Sequence, residues 1–283
     1  MSKTNYTIAM WHYPYRSVIE NVEFFISEGL TGLSIAQRHI IEVINNGQDE
    51  LLARLLTDNH ILLTTHGQLP PTHSSEDVGV FQTNMTKIAR WQEKYHCIDI
   101  ISFDVLDPIR DNVKPYLDYV LETVPDCKVA VEDFGLTASE RVQIEYLKSN
   151  PRFGYLLDIG HMYLRLVGRD LYPQHSILIH KPDECKTVGE PTLEQFREAF
   201  DSKEFPVFEI HLHNNDGSKD MHHFLQCGTL DMEIIFSLLK ERNFEGVITI
   251  EAAPGYEFEC TYPESDIRIL EDVDYLKKHM EEK

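Results

Sequence analysis

The chain has 283 residues, 42% of them hydrophobic, enough to bury one large core or two smaller ones. Its 26 basic against 47 acidic residues leave a net charge of −21, which argues against broad attraction to phosphate backbones or anionic membranes. The five cysteines (Cys97, Cys127, Cys185, Cys227 and Cys260) are widely spaced and form no C-x-x-C pair, which argues against a disulfide framework or a structural zinc knuckle. They are expected to be reduced. No long apolar run or cleavable leader appears, so a cytoplasmic chain without a membrane span is expected.

Eight short β-branched or aromatic runs follow one another along the chain: 6–10, 31–35, 60–65, 98–103, 128–132, 153–158, 207–213 and 246–251. Between them lie stretches with helical spacing of apolar residues: 17–29, the segment up to Leu56, 85–96, 115–124, 139–150 and 231–243. ESDIRILEDVDYLKKHMEEK would be the last helix, and 168–192 reads as a long loop. Parallel strands need crossover helices, and eight strands close a sheet. The pattern therefore predicts an α/β chain folded as one (β/α)8 TIM barrel domain over 1–283. An open doubly wound sheet is the alternative, weakened by the absence of a Gly-rich dinucleotide turn.

Barrel chemistry gathers at the carboxyl ends of the strands. Here those ends carry His66, Asp104, Glu132, Asp158 with His161, His211 with His213, and Glu251. One strand-end carboxylate is often only the cap of the next helix, a reading that suits Asp104 or Asp158 taken singly. Glu132 and Glu251 end apolar runs whose inward face should be dry, and several such groups converging on one volume need a divalent cation. A mixed carboxylate and imidazole shell suits Zn, Mn, Co or Fe better than calcium, with Mg also open. Asp220 and His222 form a D-x-H pair whose side chains share one side of an extended backbone. His213, two residues beyond His211, either supports the ligands from behind or replaces one. His73, His175, His180 and His223 read as solvated or supporting residues.

VAVEDFG, LLDIGHMYL, EIHLHNNDG, DMHH and GVITIE together resemble the xylose isomerase-like TIM barrels, in particular the sugar phosphate isomerase/epimerase group related to endonuclease IV-type apurinic endonucleases. The resemblance implies a divalent metal held by Glu132, Asp158, His211 and Glu251, with His161 touching the substrate. It also implies that Glu132 and Glu251 carry protons to and from a bound ketose. The endonuclease members bind three zinc ions; His66 fits an outer ligand, and His161, Asp220 and His222 fit a third site. Where that family has a histidine after the fourth strand, this chain has Phe103 and Asp104, and Asp104 can still bind a metal. The aspartate usual three residues after the strand-seven histidine is Asn214, and the usual G-x-G turn is Gln226-Cys227-Gly228.

The expected function is thus a metal-dependent isomerase or epimerase acting on a small sugar, sugar phosphate or related ketone. The alternatives are a multinuclear zinc phosphodiester hydrolase, a related lyase or dehydratase, and a non-catalytic sugar-binding barrel. The expected partner is a small carbohydrate-like molecule rather than nucleic acid, and a homo-oligomer is compatible with the sequence. Specificity would lie in the loops at 12–16, 67–75 and 168–192, with Arg165, Arg169 and Lys219 as candidate phosphate contacts.

Overall fold

The alternation of strand and helix is realised in a computed structural model, which describes residues 5–13, 15–167, 191–201, 203–217, 220–253 and 264–281. Eight strands form one sheet in the order β1-β8-β7-β6-β5-β4-β3-β2. They are β1 (Asn5–Ile8), β2 (Gly32–Ala36), β3 (Leu62–Gln68), β4 (Ile98–Asp104), β5 (Lys128–Glu132), β6 (Phe153–Asp158), β7 (Val207–Leu212) and β8 (Val247–Ile250). An isolated parallel bridge from Ala9 to Ser34 carries the chain after β1 onto β2, so the strand order returns on itself. This is the (β/α)8 barrel topology. The expected loop at 168–192 lies outside the described residues except for its last two, and Arg169, His175, His180, Cys185, Lys219 and Cys260 also lie outside them.

The chain divides into two compact units. The first comprises Thr7–Leu156 and Phe205–Glu209. It contains β2 to β5 in parallel register, with Ala36 beside His66, His66 beside Ser102, and Asp104 beside Glu132. Ile100, Ile101, Phe103, Val129, Ala130 and Val131 are buried, as expected of parallel strands covered on both faces. Each large aliphatic side chain so buried contributes roughly 1.5–3 kcal/mol. The helices are α1 (Val18–Ser27), α2 (Gln37–Asn45), α3 (Asp49–Asp58), α4 (Ser75–Tyr95), α5 (Lys114–Thr123) and α6 (Ala138–Ile144). Ser17 and Glu20 close a capping box on α1, and Thr137 and Glu140 close another on α6.

Three boundaries differ from the sequence reading. The segment up to Leu56 is two helices, because Asn46, Gly47 and Gln48 interrupt it. α4 starts ten residues before Met85, since Ser74 accepts a hydrogen bond from the Asp77 amide at 3.1 Å and nucleates a first turn that the polar residues there conceal. α6 ends at Ile144 and tightens into a 3-10 turn over Glu145–Leu147.

The second unit comprises Met1–Tyr6, Leu157–Glu204 and Ile210–Lys283. It holds α7 (Ile159–Leu166), α8 (Leu193–Asp201), α9 (Met232–Glu241), β8 and α10 (Glu264–Glu281). α8 is a helix that the sequence reading did not separate; it buries Phe196 and ties to α9 through Arg197 and Glu241 at 2.8 Å. α10 buries Ile269, Val273 and Leu276. Among the described residues no helix is long and apolar enough to cross a membrane.

Candidate functional site

In the first unit, Asp104 and Glu132 are the last residues of adjacent strands, and both lie beside His66. Nε2 of His66 is 3.5 Å from Oδ1 of Asp104 and 3.5 Å from Oε2 of Glu132. Its Nδ1 is 3.1 Å from the Ser102 hydroxyl, which fixes the ring from behind. Trp11 stacks on the same imidazole, with centroids 5.5 Å apart and planes 28° from parallel. Trp11 was not singled out from the sequence, where it is one aromatic among several in a loop. The Gln68 amide donates to Asp104 at 3.4 Å, a long bond. This unit thus brings together three of the predicted residues: His66, Asp104 and Glu132.

The second unit holds the rest, in two adjoining groups. Asp158 ends β6 and caps α7, accepting a hydrogen bond from the His161 amide at 2.7 Å. The cap reading of Asp158 is thus realised, and the cap leaves its side chain beside Glu251 and His211. Oxygens of Asp158 and Glu251 and one nitrogen of His211 lie within 4.8 Å of one another, and all three residues are buried. Nδ1 of His211 sits 2.9 Å from Oε2 of Glu251. Glu251 itself is held by the ladder, its amide donating to the Leu212 carbonyl at 3.0 Å.

His161, His213, Asp220 and His222 form the other group, again with one donor atom from each inside 4.8 Å. Nε2 of His161 is 3.1 Å and Nε2 of His222 is 3.2 Å from the same oxygen, Oδ2 of Asp220. Oδ1 of Asp220 is buried, accepts no hydrogen bond among the described residues, and lies 3.8 Å from Nε2 of His213. His213 also reaches both oxygens of Asp158, at 3.1 and 3.2 Å. β7 stops at Leu212, so His213 is beyond the strand and its ring joins this second group.

The loop that presents Asp220 and His222 is pinned by Asn214. Its amide donates to the carbonyls of Leu225 and Leu230 at 2.8 and 3.0 Å, and its oxygen accepts from the Leu230 amide at 3.1 Å. A short antiparallel bridge pairs Asn214 with His223. Gly228 is required beneath it, because a Cβ there would strike the Asn214 side chain and its φ is +139°. The Asn214 side-chain oxygen also accepts from the Asn215 amide at 2.8 Å, so Asn214 does a neutral amide's work, donating twice and accepting twice, which an ionised aspartate could not do.

Electrostatics of this group follow from its crowding. Burial disfavours charge on His222, yet the carboxylates of Asp220 and Glu251 outweigh it and push the imidazolium up to about 10. Burial likewise opposes ionised Asp220, but His222 and His161 hold its carboxyl well below the usual range. His222 Nδ1 lies 3.1 Å from the Glu251 carbonyl, an acceptor, so that nitrogen carries a proton. Its Nε2 then faces a carboxylate and needs either a second proton or a cation. The donor sets of both groups, carboxylate oxygens with imidazole nitrogens and no thiolate, fit a divalent transition metal.

Comparison with known proteins agrees with the architecture. Residues 51–279 match the family described as Xylose isomerase-like TIM barrel. An uncharacterized protein of Methanocaldococcus jannaschii is 24% identical over 139 residues, 49% of this chain and 44% of that protein, so the match spans less than half of that relative's length. Among solved structures, a D-tagatose 3-epimerase-like protein superposes with a TM-score of 0.67 at 14% identity, covering 98% of this chain and 97% of the other. The D-allulose 3-epimerase from a Methylomonas species gives 0.65 at 13% identity, covering 99% of each chain. At those identities the likeness is one of fold. With the strand order, the strand-end carboxylates and a family match across most of its length, the chain belongs to the xylose isomerase-like TIM barrel family.

Proposed function

We propose that the protein is a divalent-metal-dependent isomerase or epimerase acting on a small sugar, sugar phosphate or related ketone. The observation that carries this reading is the buried trio of Asp158, His211 and Glu251, whose donor atoms lie within 4.8 Å of one another at the ends of three strands. The family's ligand pattern adds Glu132 from the end of β5. A cation held there would polarise the oxygens of a bound hydroxyketone, acidifying the neighbouring C–H bond. The chain's own residues do the remaining work. One glutamate of the pair Glu132 and Glu251 takes the proton from the carbon beside the carbonyl, leaving an enediolate, and the other returns it. Return to the same carbon inverts it; return to its neighbour moves the carbonyl. His161, oriented by Asp220, contacts the substrate. The 3-epimerase activities named for the structural neighbours are of this kind.

The test is proton exchange. Fructose, tagatose, ribulose and their phosphates are incubated with metal-loaded protein in D2O, and deuterium at the carbons flanking the carbonyl is read by NMR. Exchange that disappears in both Glu132→Gln and Glu251→Gln supports the reading. Exchange that persists in either variant removes that glutamate from proton transfer.

A second reading, a multinuclear phosphodiester hydrolase of the endonuclease IV type, is favoured by one observation: His161, His213, Asp220 and His222 offer a further donor set, and His66 and Asp104 sit beside Glu132. The net charge of −21 opposes a nucleic acid substrate. Two or three metals per chain together with cleavage of an abasic DNA duplex at low salt would replace the first reading with this one.

A further inference from the structure

We propose that Arg110 is a positioning residue that fixes the Asp104 and Glu132 carboxylates against each other; the inference rests on the reading of Glu132 as a metal-binding and proton-transfer group. Asp104 and Glu132 are register partners at the ends of β4 and β5, and the chain turns away from the sheet immediately after each. Arg110 spans those two turns with one guanidinium. Nη1 donates to the carbonyl of Val105 at 2.7 Å and Nη2 to the carbonyl of Asp133 at 2.8 Å. Each acceptor belongs to the residue directly after a carboxylate-bearing strand end. The fork therefore holds the two backbones at the point where both side chains diverge.

The remaining contacts hold the fork itself. Nε donates to Oε1 of Glu140 at 2.8 Å, while the other Glu140 oxygen accepts from the amides of Leu136 and Thr137 at 2.9 and 3.1 Å. The Gln143 amide donates to the Arg110 carbonyl at 2.8 Å and so secures the backbone. The guanidinium carbon lies 5.4 Å from the Phe134 ring. Asp133 takes the left-handed conformation, φ +49°, an uncommon choice for a residue with a side chain. Its carbonyl is what Arg110 grips. Arg110, Asp133 and Glu140 are all buried, so the charge is paired in a dry setting where geometry is tightly enforced. Only a planar fork can serve the two carbonyls and the carboxylate at once; a lysine ammonium in the same place is a point donor.

A merely structural ion pair would make Arg110 and Glu140 equivalent, and the test separates them. Crystal structures, unfolding midpoints and Co(II) titrations are compared for the wild type, Arg110→Lys and Glu140→Gln. In Arg110→Lys the Glu132 carboxylate is expected to leave His66, from 3.5 Å to beyond hydrogen-bond distance. Co(II) affinity should fall about 10–100-fold, as when residues supporting metal ligands are removed. Glu140→Gln, which leaves the fork on both carbonyls, should lower the unfolding midpoint while keeping Co(II) affinity within about twofold of the wild type. The inference is overturned if Arg110→Lys leaves Glu132 in place with unchanged Co(II) affinity, or if both variants shift Glu132 alike. Arg110→Gln, whose amide reaches one carbonyl, carries the comparison if the lysine variant does not fold; failure of both assigns Arg110 to folding alone and also overturns it. A wild type that binds no Co(II) would instead remove the proposed function, and the Glu132 displacement would still decide the role of Arg110.

Discussion

The imidazoles of His213 and His222 lie face to face, with centroids 4.0 Å apart and planes 14° from parallel. The stack sets His222 over a ring that is itself held by both oxygens of Asp158. Burial disfavours charge on His222, yet Asp220 and Glu251 hold its imidazolium up to about 10.

The first prediction concerns that pair. A histidine raised from about 6.5 stabilises the fold fully below that pH, and the contribution is lost as pH rises through about 10. Asp220, depressed below its usual value, contributes above about 4 and loses the contribution on acidification. The metal-free protein should therefore keep a stability plateau between about pH 4 and 6.5 and lose the His222 contribution progressively from there towards pH 10. Asp220→Asn should bring the His222 titration down by several units in NMR and cost on the order of 3 kcal/mol in urea unfolding at neutral pH. A His222 titration unmoved by the substitution would show that Asp220 does not set its charge.

Gly160 gives a second prediction. It lies in the first turn of α7, and a Cβ placed there would strike Cε1 of the His213 ring, which is fully buried. The ring has no space to retreat while it bonds Asp158 and stacks on His222. Gly160→Ala should raise the helix propensity and yet lower stability by about 1–3 kcal/mol, because overpacking dominates. Calorimetry checks the sign. A more stable variant would show that His213 moves freely and that its contacts are not restrictive.

Much of this arrangement was legible in the sequence, and the exceptions have physical causes. Parallel strands buried on both faces read as unbroken apolar runs, so Val129–Val131 and Ile248–Ile250 announced β5 and β8, and the carboxylates that end those runs stood out. His213 was less legible. Two-residue alternation places it on the face of His211, but β7 ends at Leu212 and the chain turns into the Asn214–His223 bridge, which no local pattern signals. Arg110 was invisible for a similar reason. Its partners Val105 and Asp133 are backbone carbonyls, and a carbonyl leaves no trace in residue identity. The S/T-x-x-E/D signals at Ser74 and Thr137 were readable in principle, the one at Ser74 masked by Gly79 and the polar turn around it.

Metal loading supplies a third prediction. A cation that binds only the folded chain stabilises it by about 2.7 kcal/mol at a hundredfold excess over Kd. Addition of Mn(II) or Co(II) should raise the unfolding temperature, and EDTA should reverse the rise. His211→Ala and Asp158→Asn remove donor groups of the buried trio and, if the proposed site is the one loaded, should abolish most of that increment. Asp220→Asn, which alters the adjoining group, should abolish only what a second ion contributes. Equal increments in all three variants would place the cation elsewhere.

The last prediction lies behind the site, at Asp272 of α10. Its carboxylate accepts a hydrogen bond from the Leu225 amide at 2.8 Å, and Leu225 in turn receives the Asn214 amide, so α10 braces the loop that carries His222. Burial raises the Asp272 carboxyl to about 7, and the Leu225 amide and Arg268 offset this only in part. A carboxyl raised in the folded state favours folding fully below its unfolded value, near 3.8, and the advantage is lost as pH rises through about 7. Ionised Asp272 is then a cost of folding at pH 8, on the order of 4 kcal/mol. Asp272→Asn keeps an oxygen for the Leu225 amide and removes the charge. The variant should match the wild type near pH 4, exceed it in stability at pH 8, and flatten the pH dependence between those points in urea unfolding. A variant less stable than the wild type at pH 8 would mean that the attraction of Arg268 outweighs burial, with Asp272 ionised at no cost.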